Sequence, residues 1–507
     1  MRLRFAPSPT GPLHMGGVRT ALYNYLLCKK HHGKFILRIE DTDQARFVEG
    51  AESHIIKSLS WCGILPDESP ENPGAFGPYR QSERSEIYQK EIAGLIEKGL
   101  AYYAFDTSEE LDQMRTRLES EKSASRQYDA ITRMTMRNSL TLDDATVKEL
   151  LEKKTPHVIR IKLPGEGKLI FSDLVRGTIE VDLASLDDKV LFKSDGLPTY
   201  HFANVVDDYY MQISHVIRGE EWLPSAPLHW ILYDYLGWSD KRPEFAHLPL
   251  ILKPDGKGKL SKRDCDRLGL PVFAVAWKDP VTGEVSDGYA EKGYLPETFL
   301  NMLAMLGWNP GTEQEYFTLT EMIEAFSLDR VGKSGSRFDM AKVNWFQEQH
   351  FRKLPDHEIL ELVRPLLKDH NITAEDGFVL HVIALMKDRI AFPGDIISQG
   401  AFFFQRPASY DEITIRKKWK PESKEILEQW IAVYENLPAD NPTVLEESYK
   451  KMLEAKGYAI GLGMISLRLV LTGIGGGPSL FDLMALLGRE EIVHRIQTGI
   501  SQIHAEV

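Results

Sequence analysis

The sequence predicts an α/β domain on parallel strands, interrupted by an inserted mixed domain and followed by a helical C-terminal half. Three observations predict it. A strand–loop–helix–strand unit opens the chain, strand signals return at Ile213–Ile217 and Leu248–Leu252, and from about residue 295 the apolar pattern is mostly helical. In the opening unit Arg2–Phe5 reads as a short strand, after which Pro7, Pro9, Gly11 and Pro12 forbid regular structure. From Val18 the apolar positions fall at 18, 21, 22, 25 and 26, a helical stripe ending near His32-Gly33. Phe35–Ile39, broken only by Arg38, is the second strand. A unit of this length implies parallel strands joined by a right-handed crossover. Residues 72–80 form a Pro/Gly-rich joint. The mixed segment beyond it, to roughly 197, carries helices near 82–99 and 107–120 and strands near 157–163 and 188–193. In the helical half Phe378, Val382 and Leu385 mark one stripe, and Leu480, Leu483 and Leu486 another.

Composition bounds the function. The chain has 507 residues, room for about three to five domains. Its net charge of −13 excludes a basic packaging protein but allows a local basic face for a nucleic acid. Cys28, Cys62 and Cys265 are odd in number and widely spaced, so neither a disulfide framework nor a CxxC zinc pair fits, which suits a reducing compartment. The stretch Met1–Pro7 lacks the apolar core of a signal peptide, and Arg468 breaks the apolar run Tyr458–Gly475. The expectation is a cytoplasmic protein without a membrane span.

Two glycine-containing stretches carry no nucleotide signature. Gly332-Lys333-Ser334 would end a P-loop only with Gly at 327, where Ser stands, and Pro478 spoils a GxGxxG in the Gly473–Gly477 cluster. Both read as turns. Four other constellations carry chemistry. Ala6 to Gly17, Ala-Pro-Ser-Pro-Thr-Gly-Pro-Leu-His-Met-Gly-Gly, joins a strand to a helix whose free N–H groups and dipole suit a phosphate chain. Gly256 to Arg263, Gly-Lys-Gly-Lys-Leu-Ser-Lys-Arg, is a Gly-flanked cationic loop suited to a polyphosphate that changes charge during reaction. Glu40-Asp41-Thr42-Asp43 and Arg218-Gly219-Glu220-Glu221-Trp222 follow the other two strands. All four sit at the carboxyl ends of predicted parallel strands, where open α/β sheets bind ligands.

His14-Met15-Gly16-Gly17 and Lys259-Leu260-Ser261-Lys262-Arg263 resemble the HIGH and KMSKS signatures of class I aminoacyl-tRNA synthetases. Arg4–Gly11, Arg38–Asp43, Gly77–Arg84, Pro198–Asp208 and Val216–Trp222 extend the resemblance to bacterial-type glutamyl-tRNA synthetase over nearly the whole chain. It implies a Rossmann-like catalytic domain (1–76 and 198–255), an inserted acceptor-stem-binding domain (77–197), a stem-contact domain carrying the Lys259 loop (256–350) and an all-α anticodon-binding domain (351–507). It also implies the activity: ATP-dependent formation of glutamyl-adenylate, then transfer of glutamate to the terminal ribose of tRNA(Glu). A version that also glutamylates tRNA(Gln) is the alternative.

Residue by residue, the resemblance implies that Arg4, Ala6, Ser8, Glu40, Tyr200, Asn204 and Arg218 bind L-glutamate. It puts His14, Glu221, Ile251 and Lys262 against ATP, and His14, Gly16, Gly17, Lys259 and Lys262 in the catalytic signatures. Two arginines suit two carboxylates, since guanidinium forks bind them bidentately. The nucleophile is an ionised carboxylate, so no side-chain base is required. Mg²⁺ is implied as ATP's companion. Zinc is not expected, because Ala101–Asp106, where some relatives bind it, lacks cysteine. A monomer is expected. Residues 331–420 carry 14 Lys+Arg against 12 Asp+Glu, and Arg416–Lys420 interleaves Trp419 with cations, as for a phosphate backbone or a stacked base. Arg389 extends the 378–385 stripe; the resemblance makes it the reader of the third anticodon base, and helix-end electrostatics is the other explanation. The stretch 271–293 has no role that the sequence reveals.

Overall fold

The computed structural model describes residues 1–123 and 126–504. The chain divides into two compact units, Met1–Val343 and Asn344–Val507.

The first unit is built on a six-stranded sheet. Its strands run, in spatial order, Lys34–Leu37, Arg2–Phe5, His215–Gly219, Glu244–Leu248, Lys168–Asp173 and Gly177–Asp182. The first five are parallel to their neighbours, and the last turns back as a hairpin. The helix Met15–Lys30 makes the crossover between the first two strands. Leu22, Leu26, Phe35 and Ile36 are fully buried, as the expected stripe and strand require. Asn24 ties that helix to the sheet by donating to the Ile217 carbonyl at 3.1 Å. A separate antiparallel sheet holds Ala101–Ala104, Val158–Ile161 and Val190–Phe192. The Ala101–Ala104 strand is spent on packing: Tyr102 is buried and donates to Asp188 at 2.7 Å.

Two features of the sheet depart from the sequence expectation. The strand expected at 248–252 is split. Pro249 has no N–H for a ladder bond, so the sheet strand ends at Leu248. Ile251–Leu252 starts afresh and pairs instead with Ser336–Arg337. The hairpin 168–182 was not foreseen as part of this sheet. It lies inside the range read as an insertion, yet Asp173 pairs with Phe245 of the large sheet.

In the second unit the described elements after Asn344 are helical, through the helix Arg489–Gln502. Trp430 and Tyr434 stack at 5.4 Å and Tyr449 meets the tryptophan edge-on, all fully buried. The helix expected around 378–390 runs from Asp376 to Met386 and finishes in a 3-10 turn, Lys387–Arg389. Its buried stripe is Val379, Val382, Ile383 and Met386, continued by Ile390. Arg389 therefore does not extend the stripe; it is exposed. Trp419 is buried, so its ring is not offered for base stacking, while Arg416, Lys417, Lys418 and Lys420 around it are exposed. No described helix is long and apolar enough to cross a membrane.

Candidate active site

The carboxyl ends of the parallel strands open into a cleft of about 1230 Å³. Fourteen residues singled out from the sequence line it: Arg4, Ala6, Ser8, His14, Gly16, Gly17, Glu40, Tyr200, Asn204, Arg218, Glu221, Ile251, Lys259 and Lys262. Arg389 is the exception and lies in the second unit.

His14 caps the helix Met15–Lys30, its Nδ1 accepting from the Gly17 N–H at 3.3 Å. Enclosure by the cleft walls, then Lys259, holds its pKa below the usual histidine value. With Nδ1 accepting, the proton of the neutral ring sits on Nε2, which is left as the donor. A Cβ on Gly17 would stand 2.5 Å from Leu13 Cδ1, so the buried Leu13 side chain would have to shift to admit one.

The stretch 271–293 now has a place. Val272 accepts from the Met15 N–H at 2.8 Å, and Phe273 bridges to His14. His54, edge-on to Phe273 and Trp277, accepts from the Leu13 N–H at 3.1 Å, and its other nitrogen meets the Val275 carbonyl at 3.1 Å. The segment thus buttresses the His14 loop from outside the sheet, then extends as a small hairpin, Trp277–Lys278 against Val285–Ser286.

The cationic loop hangs from the displaced strand Ile251–Leu252. Lys253 N–H bonds Gly258 at 3.1 Å and Leu260 N–H bonds Ile251 at 2.8 Å, closing a tight turn. Gly256 and Gly258 hold φ of +75° and +88° there, values that side-chain-bearing residues resist. Lys259 pairs with Glu221 at 3.4 Å. Lys262 Nζ lies 5.6 Å from the centre of the Phe273 ring at the cleft wall.

At the other end of the cleft, buried charges form a network. Asp208 accepts from Arg4 Nε at 3.0 Å and from Arg38 at 2.7 Å. Burial pushes its carboxyl pKa up, but the two guanidiniums outweigh this and hold it low. Glu40 Oε1 accepts from Arg38 at 3.1 Å and Asn204 at 2.9 Å; Oε2 takes neither. Burial raises the Glu40 pKa despite both arginines. Arg218 donates to Tyr200 Oη at 2.9 Å. Tyr200 in turn packs on Trp222, ring centres 4.3 Å apart.

The chain matches the family described as tRNA synthetases class I (E and Q), catalytic domain, over residues 1–345. The chain belongs to that family. An anticodon-binding domain family matches residues 358–500. As members of this synthetase family go, the chain has close curated relatives. It is 50% identical to a glutamate–tRNA ligase of Amoebophilus asiaticus, covering 99% of this chain and 98% of that one. It is 51% identical to one of Phocaeicola vulgatus at the same coverage. A crystal structure of a glutamate tRNA ligase from Elizabethkingia meningosepticum, in complex with its amino acid, superimposes with a TM-score of 0.96 at 48% identity, covering 99% and 100%.

The sequence named this synthetase's cleft walls but missed what holds them. Asp208, Arg38, His229 and His247 contact the named residues and carried no assigned role. Asp207-Asp208 stood within a quoted motif, whereas His247 had no signal in the one-dimensional pattern.

The buried imidazoles of the synthetase fold make acid a destabiliser. Burial lowers the pKa of His54, His229 and His247, and of His201 to about 4. The unfolded chain, with values near 6.5, therefore takes up protons first. Their contribution is fully present above about pH 6.5 and is lost as the pH falls toward the folded values. The thermal midpoint of the catalytic unit is expected to fall steadily from about pH 7 to pH 5. A flat profile over that range would rule out the neutral-imidazole assignment.

Proposed function

We propose that the two ends of the cleft divide the work of glutamate activation. The chain is a glutamate–tRNA ligase. The family reaction uses ATP, glutamate and tRNA. The α-carboxylate of glutamate attacks the α-phosphorus of ATP, a new P–O bond forms, and pyrophosphate leaves. The terminal ribose hydroxyl of the tRNA then attacks the activated carbonyl and AMP leaves. Catalysis comes from positioning and charge stabilisation.

In this division Arg4 and Arg218 take the substrate carboxylates, and Glu40 accepts from the α-ammonium. Ala6, Ser8, Tyr200 and Asn204 complete the amino-acid end. His14 donates through Nε2 to a phosphate oxygen above the Gly16-Gly17 backbone, Ile251 borders the adenine, and Glu221 contacts the nucleotide. Lys259 and Lys262 follow charge onto the departing pyrophosphate, and Mg²⁺ enters on the ATP phosphates as part of the substrate. The observation that carries this reading is the grouping of charges along the cleft: Arg4 lies with Glu40 and Arg218 with Tyr200, while His14 lies with Lys259 and Glu221. The test is ATP–pyrophosphate exchange with tRNA(Glu) present. Exchange with glutamate well above glutamine is expected; the reverse would overturn it.

Arg389 is proposed as the anticodon discriminator. What supports this is its exposure and its neighbour Arg468, whose pKa is lowered by burial and then by Arg389 itself. Two cations brought together suit an electron-rich partner. Arg389→Gln is expected to narrow the preference for tRNA(Glu) over tRNA(Gln) by ~1–3 kcal/mol in kcat/KM. An unchanged ratio would make Arg389 a helix-end residue.

A further inference from the structure

Arg218 and Arg4 are both buried in the cleft wall, yet they are held differently. Arg4 shares the carboxylate of Asp208 with Arg38. Among the described residues Arg218 meets only uncharged acceptors: His247 Nε2 at 3.0 Å from its Nε, Tyr200 Oη at 2.9 Å, His229 Nδ1 at 3.2 Å and the Trp222 carbonyl at 3.3 Å.

The strand register sets up the first of these contacts. Arg218 pairs with His247 across neighbouring parallel strands, and one strand further Asp173 pairs beside it with Phe245. His247 is fully buried, and its Nδ1 lies 2.6 Å from Asp173 Oδ2. Asp173 Oδ1 is occupied by the N–H groups of Val175 at 3.0 Å and Arg176 at 2.8 Å, so the carboxylate cannot swing away. A carboxylate only accepts, so Nδ1 carries the proton. That leaves a lone pair on Nε2, which is what a guanidinium N–H needs. The imidazole thus fixes the guanidinium without cancelling its charge, as a carboxylate in the same place would do.

We propose that His247, oriented by Asp173, is a positioning residue for glutamate: it holds Arg218 through a neutral acceptor so that the guanidinium's charge stays available to a substrate carboxylate. The proposal rests on the reading of Arg218 as a carboxylate binder. It also gives the hairpin 168–182 a purpose in the large sheet, since that hairpin supplies Asp173.

The test is aminoacylation of tRNA(Glu) by the full chain and five variants. His247→Phe keeps an aromatic ring and removes the acceptor. It is expected to raise the KM for glutamate about tenfold to a hundredfold, the scale of stranding one buried donor, with the KM for ATP near wild type. His247→Gln restores an acceptor and recovers most of the loss. In an Arg218→Gln background His247→Phe adds less than about twofold, because it acts through Arg218. Should His247→Phe fail to fold, Asp173→Asn is expected to give the same glutamate-selective rise. A rise in both KM values alike, or a full added effect on Arg218→Gln, overturns the proposal. If Arg218→Gln alone leaves the glutamate KM unchanged, the carboxylate reading fails, and the proposal with it.

Discussion

Lys262→Ala lowers the rate of glutamyl-adenylate formation by about 10²–10³-fold while glutamate binding changes little. The expectation follows from where the charge sits and when it is needed. Lys262 lines the cleft beside the His14 turn, at the end proposed for the phosphates. Its loop is anchored by the short Ile251–Leu252 strand and turned by two glycines of positive φ. A charge on such a loop can follow the pyrophosphate as negative charge accumulates on it, so the contact is stronger in the transition state than in the ground state. Single-turnover measurements decide the matter. A variant with normal turnover and only a raised KM for ATP would mean that the lysine binds ground and transition states equally.

Arg218→Gln and Arg4→Gln each cost glutamate activation roughly 2–5 kcal/mol in kcat/KM, and neither becomes a glutamine enzyme. Removing one fork leaves a substrate carboxylate short of donors in a closed site. The two variants part company in stability. Arg4→Gln strips Asp208 of one of its two guanidiniums, which leaves a buried carboxylate under-compensated, so its thermal midpoint falls. Arg218→Gln leaves no paired carboxylate behind, only uncharged acceptors short of a donor, so its thermal midpoint falls less. Kinetics on both amino acids together with melting curves separate these outcomes. Full activity in both variants would end the carboxylate-clamp reading.

What could be read in the sequence was what chain-local periodicity and short motifs encode. The strand Arg2–Phe5, the helix from Val18 and the strand after Gly33 follow from the local apolar pattern, and the fourteen cleft residues were reached through motifs that resemble the family's, most of them beside strand ends but Tyr200 and Asn204 on the helix Tyr200–Tyr210. Pairings between distant segments have no such signature. Nothing in residues 168–182 says that Asp173 lies beside His247, because that contact depends on which strand edge the hairpin joins. Pro249 did carry a warning, since a proline cannot serve a central strand. Its effect on the partner of Ile251 depended on Ser336–Arg337, some 85 residues away in sequence. Near Arg389 the expected stripe, 378, 382 and 385, parts from the buried one, 379, 382, 383 and 386, so the next buried position is Ile390 and Arg389 is exposed.

The break at Pro249 also separates two kinds of stability. Glu244–Leu248 is locked between two parallel neighbours, whereas Ile251–Leu252 is held along one short parallel pairing and by the turn closing at Leu260. Amide protons of Lys253 and Leu260 should therefore exchange with solvent through local openings that leave Ile217 and Ala246 protected. The loop proposed to follow the leaving group can loosen and reclose many times within one lifetime of the folded sheet. Its motion is bought out of a few hydrogen bonds that the core of the molecule does not share.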